Sequence, residues 1–251
     1  MKKTKPLSTK IIEAIRNNNT KKFKILISQS KNSIDCGEAL CLLAAQGNAN
    51  YIKLIIPISN SKDNNSVALR IASESGHAEC VKLLIPVSDP KANDNRALLL
   101  ASTYGHADCV KLLIPVSDTK ERGSYSLRSA SFHGHIECLK LLISVSDPKS
   151  SESFALRWAS LNGHTECVKL LIPVSDPKSK NSQALERAAA GNYKDCVELL
   201  LPHSDISNWC EKEWKYISSD IKQIIMSYFV KVSLVKNIPP NNNQNSKSKK
   251  L

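Results

Sequence analysis

Residues 97–120 read ALLLASTYGHADCVKLLIPVSDTK, and nearly the same text is written 29 residues earlier and 29 residues later. ALRIASESGHAECVKLLIPVSDPK fills 68–91, SLRSASFHGHIECLKLLISVSDPK fills 126–149, and ALRWASLNGHTECVKLLIPVSDPK fills 155–178. Looser copies keep the register: ALCLLAAQGNANYIKLIIPIS from Ala39, ALERAAAGNYKDCVELLLPHSD from Ala184 and KIIEAIRNNNTKKFKILISQS from Lys10. About seven units result. The terminal copies diverge most, as expected of units that face solvent on one side.

Each unit reads as two short helices. In the first, Leu98, Ala101 and Ser102 recur at spacings of three and four, which makes one narrow buried face. Gly105 then supplies the left-handed residue that follows a helix C-terminus, with Asn18 and Asn192 in its place in the outer units. The second helix, ADCVKLLI, is apolar nearly all round, the mark of a helix enclosed by neighbours. Proline at position 115 is expected to stop it, because the residue before proline is pushed out of the helical region, and SDPK or SDTK then turns the chain.

GHAECVKLLI and its copies resemble the ankyrin-repeat core, in which a helix ending Ala-Ala-x-x-Gly-His is followed by Val-Val-x-Leu-Leu-Leu. The resemblance spans residues 10–205. It implies an all-α fold, an α-solenoid of about seven helix-pair repeats with a C-terminal helical segment. It also implies a non-enzymatic scaffold that holds another protein on its concave helix face. The usual ankyrin unit has about 33 residues, opens Thr-Pro-Leu-His and carries a β-turn finger. Here the missing residues fall between the second helix of one unit and the first helix of the next, so shortened loops are expected in place of fingers. TPR-like and HEAT-like stacks fit less well: their units are longer and lack the Gly-His corner.

Composition narrows the function classes. Every LLI run ends at Pro or Ser, short of the roughly 18–20 apolar residues a membrane helix needs. Met1-Lys2-Lys3 is followed by a charged segment, which predicts no cleaved export signal. The net charge of +12 suggests nucleic acid at first sight, yet residues 1–24 hold +7 of it and residues 236–251 another +4. A protein that tracks phosphates needs a basic stripe along its contact face, so a nucleic-acid partner is not expected. The chain divides into a repeat solenoid (1–205), a C-terminal helical segment (206–236) and a basic tail (237–251) expected to be disordered.

Recurring cysteines and histidines tempt a metal or catalytic reading. Cys80, Cys109, Cys138, Cys167 and Cys196 each follow a His or its substitute by three residues. Stacked helices lie about 8–10 Å apart, too far for neighbouring units to close a tetrahedral site or a disulfide. Small buried hydrophobes in a reducing, intracellular compartment are expected, with no metal and no cofactor. His77, His106, His135 and His164, with Asp89, Asp118, Asp147 and Asp176, recur in every unit, whereas catalysis needs one asymmetric constellation. They read as structural, and in the ankyrin resemblance the imidazole bridges backbone groups of adjacent units.

Function is therefore sought where otherwise similar units differ. Opposite the buried face of the first helix, the pairs Leu100/Thr103, Ser129/Phe132, Trp158/Leu161 and Arg187/Ala190 vary strongly. Leu100, Thr103, Phe132, Trp158 and Leu161, with Tyr104, His133 and Asn162 at the edge, form the expected partner-binding strip. The other reading packs the Leu100-type position on the adjoining unit and places binding in Arg122, Tyr125 and Phe154. Beyond the repeats, ISSDIKQIIMSYF carries a helical stripe capped at Ser218. It either seals the last repeat or serves a ligase, since it resembles the start of an F-box in the short form that follows some ankyrin repeats. That resemblance rests on Trp214, Ile217, Asp220, Ile221, Ile225, Met226 and Phe229. It implies a substrate receptor that recruits a cullin-type ubiquitin-ligase adaptor.

Overall fold

The computed structural model of the chain describes residues 6–17, 19–29, 37–59, 62–119, 124–207, 209 and 214–236. The basic tail, Asn18, Arg122, Cys36 and Cys210 lie outside them. Helix pairs succeed one another along the chain: α1 (Leu7–Arg16) with α2 (Thr20–Gln29), α3 (Gly37–Ala45) with α4 (Ala49–Ile55), and α5 (Lys62–Glu74) with α6 (Ala78–Leu84). Next come α7 (Ala92–Thr103) with α8 (Ala107–Leu113), α9 (Ser124–His133) with α10 (Ile136–Ile143), α11 (Ser150–Leu161) with α12 (Thr165–Leu171), and α13 (Ser179–Ala190) with α14 (Lys194–Leu200). A last helix, α15 (Ser219–Lys236), follows. First helices pack on first helices and second helices on second helices, so two parallel rows form an α-solenoid.

The core runs through every unit without a break. Leu98, Ala101 and Ser102 of α7 are buried as the spacing predicts, and Cys109, Val110 and Leu113 of α8 join them. The equivalent positions are buried in each neighbouring unit. Buried Ser73, Ser102, Ser131 and Ser160 return their hydroxyl hydrogens to the carbonyl four residues back, on Leu69, Leu98, Leu127 and Leu156. A polar atom between helices is thereby satisfied without a partner from another unit.

The corner between the two helices couples one unit to the next. Gly47, Gly76, Gly105, Gly134 and Gly163 all have positive φ, and Asn192 takes the same conformation in the last repeat. Against four of these glycines lies the imidazole of the following unit, and its Nε2 donates to a carbonyl of the preceding first helix. His77 reaches Ala45 O at 3.1 Å, His106 reaches Glu74 O at 2.9 Å, His135 reaches Thr103 O at 2.9 Å and His164 reaches Phe132 O at 2.8 Å. Orphan carbonyls at each helix C-terminus thus find donors one repeat away.

One expectation about the connections is corrected. Proline does not expel its predecessor from the helical region: Ile114 has φ −50° and ψ −50°. The α-helix ends at Leu113 and tightens into a 3₁₀ turn, Ile114–Val116, in which the proline's missing N–H falls at the start. The chain becomes extended only at Ser117, with φ −108° and ψ 160°.

The shortened connection is a tight turn of unusual backbone. Asn93–Asn95, Ser151–Ser153 and Lys180–Ser182 each form three successive left-handed residues, with φ between 51° and 61°. Each turn is closed by an amide-to-carbonyl bond, such as Asn95 N to Lys91 O at 3.1 Å. It delivers the chain straight into the first helix, and this compact device occupies the place of the finger.

The SDPK aspartates organise that turn. The Asp89, Asp147 and Asp176 carboxylates accept from the N–H two residues on, at 3.0 Å in each case. Their own amides, and those of Asp118 and Asp205, connect to the start of the same unit where it is described. Asp118 N–H donates to Asn95 Oδ1, Asp176 N–H to Ser153 Oγ and Asp205 N–H to Ser182 Oγ. The third left-handed residue is therefore the one whose side chain ties the two ends of a unit together.

Candidate functional site

Three neighbouring first helices, α9, α11 and α13, bring the variable residues together. Along α9, Tyr125, Arg128, Ser129 and Phe132 share one face because they recur at spacings of three and four. Along α11, Phe154 and Trp158 are one turn apart. These six residues line an open groove of about 380 Å³. The Phe132 and Trp158 rings meet edge to face at 4.7 Å, and Phe154 lies 5.4 Å from Trp158. Tyr125 stands at the rim, 54% exposed.

Guanidinium groups are layered between the rings. Arg128 lies over Tyr125 at 4.1 Å and over Phe154 at 5.3 Å. Arg157 lies over the same Phe154 at 4.7 Å, and Arg187 of α13 is 5.8 Å from Trp158. Such stacking fixes long side chains at low conformational cost and leaves their charge facing the groove's aromatic wall. Arg157 is buried. It donates to Gln183 Oε1 and, at 3.0 Å, to the Ser151 carbonyl. Burial, with Arg187 adding repulsion, pulls its pKa down, and Glu152 opposes the shift more weakly.

The expected strip is only partly assembled. Phe132 and Trp158 form its centre, with His133 edge-on to Phe132 at 4.8 Å. Burial, then the neighbouring His135 and His164, holds the His133 pKa below its ordinary value. Thr103 spends its hydroxyl on the Leu99 carbonyl and on Ser129 Oγ, 2.7 Å away. The Asn162 amide donates to the Phe132 and Trp158 carbonyls, so both polar residues brace the helices. Leu100 is half-buried, Leu161 is exposed, and Tyr104 stacks on His106 at 6.4 Å.

Arg128, Arg157 and Arg187 were not among the residues expected from sequence. Arg187 occupies the position equivalent to Trp158, so its place in the row was legible. Arg128 and Arg157 belong to the preceding position of the unit, which the helix turn brings alongside. Tyr125 and Phe154, which the other reading above made the binding residues, lie inside α9 and α11 and join the strip's aromatics in one groove. The two readings of the binding face are thus largely one surface.

At the C-terminal end the F-box-like residues separate into two sets. Ile217, Ile221 and Ile225 are buried in the repeat core. Trp214 meets Trp209 edge to face at 6.0 Å, and Asp220 pairs with Lys194 at 2.9 Å. The Ser218 hydroxyl donates to Asn192 Oδ1 at 2.8 Å and accepts from the Ile221 N–H, the capping role its sequence position implied. Met226 and Phe229 remain exposed.

Histidines and cysteines have structural places. Nε2 of each corner histidine from His77 to His164 is engaged with backbone, as described above. Cys80, Cys109, Cys138, Cys167 and Cys196 are buried free thiols. Burial, reinforced by adjacent acidic groups, pushes Cys109, Cys138 and Cys167 up to about 11. Among the described residues no three His, Cys, Asp or Glu side chains converge on a possible metal position. No helix of the described residues is long and apolar enough to cross a membrane.

Comparison with known proteins agrees with this architecture. The sequence model described as "Ankyrin repeats (3 copies)" matches residues 11–94, 69–151 and 127–210. Among solved structures, the human ASB11 ankyrin repeat domain superposes with a TM-score of 0.65 at 20% identity, over 80% of this chain and 98% of that one. At that identity the likeness shows the fold. A search of curated proteins found no match. Because the overlapping family matches run from residue 11 to residue 210, well over half the chain, and coincide with the helix pairs, the chain belongs to the ankyrin-repeat family.

Proposed function

We propose that the chain is a non-enzymatic protein-binding module whose partner seats on the groove between α9 and α11, flanked by Arg187 of α13. Ankyrin repeats are generally protein–protein interaction modules, and the repeating histidines and aspartates of this chain have structural places that account for them. One observation carries the reading: the aromatic side chains Tyr125, Phe132, Phe154 and Trp158 cluster on one face of two adjacent units, and the equivalent positions of the other units hold no aromatic residue. Aromatic and Arg residues at the centre of a groove are the usual anchors of protein interfaces.

The test compares binding with stability. Trp158→Ala combined with Phe132→Ala should weaken a captured partner by about 2 kcal/mol or more, as truncated anchors do. Because both rings are half-buried and touch, some stability goes with them. A loss near the roughly 3–5 kcal/mol of a core aromatic truncation, with binding per folded molecule unchanged, would contradict the reading.

A second reading assigns α15 to a cullin-type ligase adaptor. It is favoured by Met226 and Phe229, which stay exposed while the other apolar residues of the same stripe cap the repeats. Deleting residues 206–251 would strip that cap and is a poor test. Met226→Asp with Phe229→Asp in the full chain leaves it in place. Loss of co-purifying ligase components from this variant supports the second reading, and unchanged recovery contradicts it.

A further inference from the structure

We propose that the groove receives an acidic segment of the partner, with an apolar or aromatic side chain among Phe132, Phe154 and Trp158 and flanking carboxylates drawn to Arg128, Arg157 and Arg187. The inference rests on the groove being the partner surface and adds the chemistry of what binds there.

Charge is the first argument. Three guanidinium groups come from three successive units, each over an aromatic ring of the groove wall. Among the described residues neither Arg157 nor Arg187 makes an ion pair. Glu152, the acidic residue that bears on Arg157, is already paired with Lys180 at 2.9 Å. In the row that contains Arg128 and Arg157, the next unit carries Glu186, which bounds the positive stretch.

Burial is the second and independent argument. Arg157 is 7% exposed and its Nε has no hydrogen-bond partner. Its two other nitrogens each donate once, Nη1 to a neutral amide oxygen and Nη2 to a backbone carbonyl, neither of which cancels charge. A buried guanidinium without a carboxylate is electrostatically costly, and an incoming anion relieves that cost. The aromatic wall supplies the complementary apolar contact, so the surface selects for both features in one segment. The groove is open to solvent along one side rather than enclosed, so an extended segment can lie across it.

The experiment uses the full chain against a display library of random twelve-residue peptides. Peptides enriched by the wild-type chain should combine Asp or Glu with Phe, Leu, Tyr or Trp. A synthetic copy of the best one should lose about tenfold or more in affinity with Trp158→Ala, and likewise with Arg187→Glu. Its binding should also weaken as salt rises. Arg128→Gln and Arg187→Gln, which remove charge more gently, serve if the reversal perturbs helicity. Peptides that need Trp158 but show no acidic bias and tolerate both arginine changes would overturn the charge assignment while leaving the groove as the binding face. Enriched peptides indifferent to Trp158→Ala, or no enrichment at all, would overturn the groove reading and this inference with it.

Discussion

A Cβ placed on Gly105 would stand 2.6 Å from Nδ1 of His135, and the same clash recurs at Gly76 with His106 and at Gly134 with His164. Glycine is therefore required twice at one position, once for its positive φ and once for the ring laid against it. Residues of this kind explain why repeats with so little polar bonding between units stay in register. The cysteines one turn into the second helix have a simpler task, filling space where the helices of adjacent units approach. Their burial has a pH consequence. Cys109, Cys138 and Cys167 ionise near 11, against an ordinary value of 9.0, so the unfolded chain loses these protons first. Stability from these thiols is complete below pH about 9 and is lost as pH rises toward about 11. Melting temperature measured across that range should fall, and replacing the three cysteines with alanine should flatten the decline. Thiol reagents at neutral pH should modify these positions only as the chain unfolds.

Among the elements, the first helices of three units enter through a left-handed turn. For residues other than glycine, each such residue costs about 1–2 kcal/mol before compensation. The compensation is local: Asp176 N–H bonds to Ser153 Oγ at 2.7 Å, and Ser179 Oγ bonds to the Glu152 carbonyl at 3.0 Å. The side chain of Glu152, the middle residue, contributes an exposed ion pair with Lys180 and a weak attraction for Arg157. Glu152→Gly should thus leave stability unchanged or raise it by up to about 1 kcal/mol, while Glu152→Val, β-branched at φ 59°, should lower it by about 1–2 kcal/mol. Urea unfolding of the two variants measures both. The helix pairs and their buried faces were readable from sequence because a spacing of three and four reports packing directly. These turns were not, since Asn-Asp-Asn, Ser-Glu-Ser and Lys-Asn-Ser share no composition. What they have in common is a side-chain oxygen at the third position, whose partner lies 23 residues away. Proline was misjudged for a related reason. A 3₁₀ turn accepts the helical residue before it, so the break comes two residues later than local rules imply.

At the scale of the molecule, the solenoid is a stack in which each unit contacts its neighbours and the last repeat is closed by Ile217, Ile221 and Ile225. Near-identical units make a uniform scaffold, and the departures from uniformity concentrate on α9, α11 and α13. Half of the groove was legible in advance: Phe132 stands out against its equivalents Thr103, Leu161 and Ala190, and Trp158 against Leu100, Ser129 and Arg187. The arginines were harder to place, because an arginine in a helix is ordinarily a solvated surface residue. Arg128 meets Tyr125 and Arg157 meets Phe154 one turn away on the same helix, and the three-dimensional stack adds the contacts between units, Arg128 over Phe154 and Arg187 near Trp158. The central claim is that partners bind this face of the first-helix row rather than the face formed by the second helices. A photo-crosslinking amino acid placed at Tyr125, on the groove rim, and in a separate chain at Lys111, an exposed position on α8, tests it directly. The account predicts a partner adduct from position 125 that disappears when Trp158→Ala is added, with little or none from position 111. Equal or stronger adducts from position 111, unaffected by Trp158→Ala, would contradict it.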